Sequence, residues 1–230
     1  MNLVDEIISI EEVNSDSMRY DITVTDNHNF FANGILVHNC QNLTNEWDEL
    51  RQHRYEITEK LEGSSMTVGL VNNEFIVCSR NLNLKETEGN TFWKLARQYD
   101  IEAKMSGHSL DNLVFQGEAI GEGIEGNHYG IKGHDFYVYT VYDIVAGQYL
   151  SPEKRLNICN LIGLKHVPIV AKEIPLHVHF NSIDEVLLQS DGKSQINSTK
   201  LREGLVYKQV DGQTHWKVVS NEYLLKHGSR

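Results

Sequence analysis

Two pairs of short β-type runs, each joined by a turn signal, constrain the fold of this chain more than any other feature. Met66–Val71 and Glu74–Ser79 flank Asn72-Asn73, and Gly204–Val210 and His215–Val219 flank a connection holding Asp211-Gly212. Asn, Asp and Gly accept the backbone angles of tight hairpins, so each pair is expected to close antiparallel. Arg54–Lys60, Leu113–Ile120 and Phe136–Ile144 add three further strand candidates. Helical periodicity is confined to a few segments. Thr91–Met105 reads as one helix with Phe92, Leu95, Ala96 and Tyr99 on a single face, Ser151-Pro152 opens another that stops near Gly163, and Ser182 with Glu185 forms a capping box. Several antiparallel strands with a few covering helices make an α+β protein.

Charge divides the chain near residue 40. Residues 1–39 hold seven acids and one base, a net of 1 − 7 = −6, so the remaining residues carry −11 + 6 = −5 with 20 of the 21 Lys and Arg. No repeat, low-complexity stretch or long linker interrupts residues 40–230, which read as one domain. No apolar run approaches the ~20 residues that a bilayer span requires, and Asp5 and Glu6 stand where a secretory leader would be positive, so no membrane contact and a cytoplasmic location are expected. Cys40, Cys78 and Cys159, odd in number and far apart, read as reduced thiols. The acidic balance argues against indiscriminate nucleic-acid coating but leaves room for a local basic groove.

The first segment alternates in Ile7–Val13 and Tyr20–Val24, then passes Phe30-Phe31 and Asn33-Gly34 to the apolar run Ile35–Val37. It ends in unusual chemistry: His38-Asn39-Cys40. An Asn amide can attack its own backbone carbonyl, closing a succinimide and cutting the chain, if a neighbouring imidazole polarises that carbonyl. A Cys directly after the cut is well suited to receive an acyl group. With YDITVTDNHNFFANGILVHN before it, the tripeptide resembles the end of a split-intein C-terminal fragment, and the resemblance covers residues 1–39. It implies that Asn39 cyclises, His38 assists as the penultimate histidine, Cys40 is the branch nucleophile and first extein residue, and Asp26 and His28 assist. A partner chain would supply the N-terminal intein half and its extein.

The second segment centres on Glu59-Lys60-Leu61-Glu62-Gly63-Ser64-Ser65. A lysine used as a nucleophile must lose its proton, and a tight turn between two strands can hold it beside cations that lower its pKa. Lys-x-Glu-Gly alone is common, but Cys78-Ser79-Arg80-Asn81, Val114–Glu118, Phe136–Tyr139, Glu203–Lys208 and Trp216–Val219 follow in order. Together these resemble the motifs of covalent nucleotidyltransferases, with an ATP-grasp-like ligase fold. EKLEGSSMTV, SRNLNLKETEGNTFWK and FQGEAIGEGIEGNHYG are similar, more narrowly, to ATP-dependent RNA ligases over about residues 45–226.

The resemblance implies that Lys60 is adenylated and that Glu59 and Glu118 lie in the ATP pocket. It gives Arg80 the ribose or phosphates, Tyr139 the adenine, Glu203 and Glu118 a divalent metal (Mg2+ or Mn2+), and Lys208 and Lys217 the triphosphate. RNA ends, or nicks in RNA or RNA/DNA, would be the substrate. Two positions depart from the pattern: Glu62 stands where Asp is usual, and Val219 where many relatives have a second lysine. A DNA ligase or capping-type guanylyltransferase would use the same lysine chemistry, and a non-catalytic nucleic-acid-binding extein is a third reading. Gly121–Gly126 formally matches GxGxxG, but Glu122 and Glu125 would face phosphates and no helical pattern follows. His177 and His179 are expected on one strand face, without a third ligand for zinc.

Overall fold

The computed structural model describes residues 29–32, 35–38, 46–212 and 214–227, and divides into two units, Met1–Glu49 and Leu50–Arg230. In the first, β1 (Asn29–Ala32) and β2 (Ile35–His38) form a two-stranded antiparallel ribbon with Asn29 opposite His38. The expected strands at Ile7–Val13 and Tyr20–Val24, and the residues Asp26, His28, Asn39 and Cys40, lie outside the described residues. A short helix, α1 (Trp47–Leu50), spans the boundary.

The second unit begins with β3 (Arg54–Lys60), β4 (Ser64–Val71) and β5 (Glu74–Cys78). Asn72 and Asn73 both take positive φ, as a tight hairpin between β4 and β5 requires. Helices α2 (Thr91–Gln98) and α3 (Ile101–Gly107) follow where one helix is expected. Asp100 breaks the run by adopting the left-handed conformation, with φ 52°, which lets the chain turn while both segments keep apolar faces on the core. After β6 (Leu113–Gly121) and β7 (His134–Asp143) come the two-residue β8 (Gln148–Tyr149) and helix α4 (Pro152–Ile162). Ser151 caps α4 by accepting from the Lys154 N–H, and Gly163 ends it in the left-handed region, as the sequence requires.

The chain then runs through β9 (Lys165–His166), β10 (Ile169–Pro175), α5 (Leu176–His179) and α6 (Ile183–Ser190). His177 and His179 therefore sit on a helical turn after Pro175, not on a strand face. Ser182 caps α6 as expected, but Glu185 accepts from the Asn181 N–H, one residue earlier than a capping box would place it. Strands β11 (Gly204–Gln209) and β12 (His215–Val219) and helix α7 (Asn221–His227) complete the unit.

Two sheets result. One has the order β10-β3-β11-β12, the other β5-β4-β6-β7-β8, with β9 added to β7. All pairings are antiparallel except β7 with β9, which is parallel and departs from the expected antiparallel pattern. The larger sheet buries Met66, Val68, Val77, Phe115, Phe136 and Val138 against Leu95, Ile101 and Met105 of α2 and α3, and against Cys159 and Ile162 of α4. In the smaller sheet Tyr207 stacks on Trp216 at 4.0 Å, with Tyr55 edge-on to both. The β6–β7 ladder shifts register between Gln116 and Gly117: Thr140 faces Gln116 and Val138 faces Gly117, so Tyr139 is an extra residue.

Candidate active site

The β3–β4 connection carries the chain from one sheet to the other. Lys60, the last residue of β3, pairs with Gly204 of β11, whereas Ser65 of β4 pairs with Glu118 of β6. The three residues between β3 and β4, Leu61, Glu62 and Gly63, cross the seam, so Lys60 sits where the sheets converge. Two glycines permit this closeness. A Cβ on Gly63 would lie 2.4 Å from the Ala119 carbonyl oxygen, and one on Gly204 would lie 2.0 Å from that of Val218.

The Lys60 ammonium donates to the Glu203 carboxylate, and the two side chains are 22% and 19% exposed. Glu118 approaches from the opposite sheet. Burial pushes its carboxyl up to about 7, with the Glu203 charge adding to the rise, while Lys60 and Arg80 oppose it. Arg80 is exposed at the end of β5. Thus Lys60, Glu203, Glu118 and Arg80 form one electrostatic group, as the sequence motifs imply. Beside them Leu61, Ile120, Tyr129 and Val167 form a small apolar cluster with Tyr137 and Tyr139 packed against it, a wall suited to a planar base. The Tyr139 hydroxyl lies 3.2 Å from Ser65 Oγ.

Lys208 and Lys217 differ sharply. Lys217 is exposed on β12 opposite Val206, a face shared with Lys60 through Thr58. Lys208 instead donates to the backbone carbonyl of Tyr139, with Nζ 5.4 Å from the centre of that ring. Burial and the Arg155 guanidinium push its ammonium down to about 7. Glu59 lies on the face opposite Lys60, because side chains alternate along a strand. Its buried carboxylate accepts from the Gln195 N–H at 2.8 Å, and burial raises its pKa while Ser194 and Arg202 oppose the rise.

Sequence reasoning missed two buried polar groups at this seam. Arg155 of α4 donates to the carboxylate of Glu56 and, through Nε, to His166 Nε2 at 2.7 Å, and Glu56 lies opposite Lys208 in the ladder. Arg155 and Glu56 are each 1% exposed. The second group is Glu62 with His128, at 3.2 Å. Both could have been suspected only from charged residues inside otherwise apolar stretches, such as Glu56 between Tyr55 and Ile57.

Among the described residues no group of three His, Cys, Asp or Glu side chains is placed to enclose a metal. Glu118 and Glu203 do fit a cation shared with a ligand, since magnesium is commonly held by one or two carboxylates plus substrate phosphates. Among the described residues no helix is long and apolar enough to cross a membrane.

Residues 53–226 match the RNA ligase family model, which covers well over half of the chain and every element from β3 to α7 except its last residue. The chain belongs to the RNA ligase family. Solved structures agree. An apo point mutant of the Naegleria gruberi RNA ligase is 39% identical with a TM-score of 0.76, over 82% of this chain and 56% of that one. A point mutant of the same enzyme with ATP and Mn gives 39%, 0.76, 82% and 56%, so this chain spans little more than half the length of that solved relative. A curated match is shorter: the tRNA-splicing ligase RtcB of Methanocaldococcus jannaschii is 47% identical over 51 residues, 19% of this chain and 5% of that protein.

Proposed function

We propose that residues 40–230 are the nucleotidyltransferase domain of an ATP-dependent RNA ligase, and that residues 1–39 are a split-intein C-terminal fragment that joins Cys40 to an upstream extein. The observation that carries the ligase reading is the Lys60–Glu203 pair at the seam of the two sheets, with Glu118 facing it. The Naegleria gruberi enzyme has been solved with ATP and Mn and with AMP and Mn, which supports the choice of nucleotide and of a divalent cation.

In the proposed cycle Lys60 Nζ loses its proton and attacks the α-phosphorus of ATP. A P–N bond forms, the bond to the β-phosphate oxygen breaks, and pyrophosphate leaves. AMP next passes to the terminal 5′-phosphate of an RNA, freeing Lys60. A 3′-hydroxyl then attacks that phosphate and expels AMP, closing a phosphodiester. Glu203 orients Lys60, Tyr139 offers its ring to adenine, Arg80 and Lys217 face the phosphates, and Lys208 fixes Tyr139 through its carbonyl. Glu203 and Glu118 would hold magnesium or manganese, which supplies neutralisation of the triphosphate charge.

The splicing reading rests on His38-Asn39-Cys40 and on the ribbon whose second strand ends at His38, immediately before the scissile residue. Incubation with α-labelled ATP, read on a denaturing gel, tests the ligase reading. Label is expected on the wild type and absent from Lys60→Ala and from Lys60→Arg, since guanidinium stays protonated near neutral pH. Label retained by both variants would move the nucleophile elsewhere, and label from GTP in preference to ATP would make the protein a capping-type enzyme.

A further inference from the structure

Lys208 does not point where the motif order would send it. It lies opposite Glu56 in the β3–β11 ladder, so the two side chains share a face. From there the Lys208 ammonium crosses to the other sheet and donates to the backbone carbonyl of Tyr139. That carbonyl belongs to the extra residue of β7: the registers of β7 with β6, β8 and β9 give Tyr139 no partner among the described residues. A carbonyl left out of its ladders needs a donor from elsewhere, and Lys208 supplies it. The ring is held as well. Lys208 Nζ lies over it, 5.4 Å from its centre, and the Tyr139 hydroxyl is 3.2 Å from Ser65 Oγ.

Behind Lys208 stands a chain of polar groups that ends on the same wall. Glu56 accepts from Arg155, and both are buried. The second Glu56 oxygen has no hydrogen-bond partner among the described residues, so its charge is left to the neighbouring Lys208. Arg155 Nε donates to His166 Nε2 at 2.7 Å. A guanidinium can only donate, so Nε2 is bare and Nδ1 carries the hydrogen, which it gives to the Val167 carbonyl oxygen at 2.6 Å. Val167 lies in the apolar cluster with Leu61, Ile120 and Tyr129 against which Tyr139 packs. The chain of groups thus fixes the backbone at two points of that wall, Tyr139 and Val167.

We propose that Lys208 is a positioning residue for the nucleobase, with Glu56, Arg155 and His166 as its footing, and that it takes no part in binding the triphosphate. It holds the Tyr139 ring from one face so that adenine stacks on the other. This rests on the ligase reading and reassigns within it a lysine that the sequence motifs gave to the phosphates. Burial and Arg155 push the Lys208 ammonium down to about 7. A group only partly charged near neutral pH suits a neutral carbonyl better than a triphosphate.

Two ligands separate the subsites in the full chain: ATP, and inorganic tripolyphosphate, which has no base. Equilibrium binding of each is measured for the wild type and for Lys208→Met, which keeps the reach of the side chain and removes the donor and the charge. ATP binding should weaken about tenfold, the scale of one hydrogen bond, while tripolyphosphate binding stays within about twofold of wild type. Equal weakening of both ligands would return Lys208 to the phosphates and overturn the proposal, as would ATP binding unchanged by the substitution. Should Lys208→Met fail to fold, Lys208→Gln decides. It removes the charge but keeps an amide donor, so tripolyphosphate should bind as it does to the wild type, and a loss there overturns the proposal. A wild type that neither binds ATP nor takes up AMP would sink the ligase reading and this inference with it. A wild type that does both, with Lys208→Met losing the two ligands alike, would sink the inference alone.

Discussion

Arg155→Met removes a cation from a place where its partner cannot reach water. Glu56 and Arg155 are each 1% exposed and bonded to each other, and Arg155 Nε also serves His166. Breaking a buried pair by deleting one member costs about 3–5 kcal/mol, because the remaining charge stays desolvated. Here the lower end is expected. Lys208 lies opposite Glu56, and it is Arg155, after burial itself, that pushes the Lys208 ammonium down to about 7. Once the guanidinium is gone, Lys208 can hold its proton more tightly and partly offset the Glu56 charge. A loss of about 3 kcal/mol corresponds to a Tm lower by about 6–12 °C for a domain of this size. With a urea slope of about 2 kcal/mol/M it moves the unfolding midpoint down by about 1.5 M. The measurement is equilibrium urea unfolding of the full chain followed by tryptophan fluorescence, with Glu56→Leu/Arg155→Met as the companion. Replacing both charges by apolar groups should recover most of the loss. A single variant within about 1 kcal/mol of wild type, or a double variant no better than the single, would refute the reasoning.

Asn39→Ala should block release of residues 1–39 when a matching N-terminal intein half is supplied, with the products resolved by mass spectrometry; normal release would sink the splicing assignment. Glu203→Gln and Lys217→Ala should each slow single-turnover AMP transfer far more than they weaken ATP binding, on the order of 10²-fold or more for Lys217→Ala. Equal losses in rate and affinity would mean uniform binding. His166 is pushed down to about 3 by burial and by Arg155, so it stays neutral in the fold while the unfolded chain takes up a proton below about 6.5. Stability is therefore lost as pH falls through that window, by up to about 2 kcal/mol at pH 5. His166→Gln, whose amide oxygen can still accept from Arg155, should narrow the gap between urea midpoints at pH 7 and pH 5; an unchanged gap would place the acid sensitivity elsewhere.

The strands β4, β5, β11 and β12 were legible because each has one face more buried than the other and a turn dipeptide at its end. β3 was legible as a strand but not in its packing. Tyr55 through Glu59 are all buried, since the sheet is covered on both sides there, and alternation then carries no information about which residues meet solvent. That is why Glu56 escaped notice, and why Glu59 was grouped with Lys60 although neighbouring residues point to opposite faces. The motif order named Lys60, Glu203, Glu118, Arg80 and Tyr139, and the structure brings these five near one another. It could not place Lys208, whose direction depends on a carbonyl 69 residues away in sequence. The break at Asp100 was equally hidden, because a left-handed Asp leaves no mark on hydrophobic periodicity.

The extra residue in β7 gives that strand two phases. Phe136 and Val138 face the large core in one, Val141 returns to it after a gap of three residues instead of two, and Tyr139 falls in the gap. The two halves of β7 are thereby uncoupled: either half can keep its inward side chains whatever the other does, provided the count between Val138 and Val141 is kept. A deletion of one residue there would close the ladder into an unbroken zip. It would deprive Lys208 of the carbonyl it now reaches, without altering a single charged group at the seam. Chain length between those two valines is thus under as much constraint as the identity of any side chain around Lys60, and gaps in this strand should be far less tolerated than substitutions at Thr140.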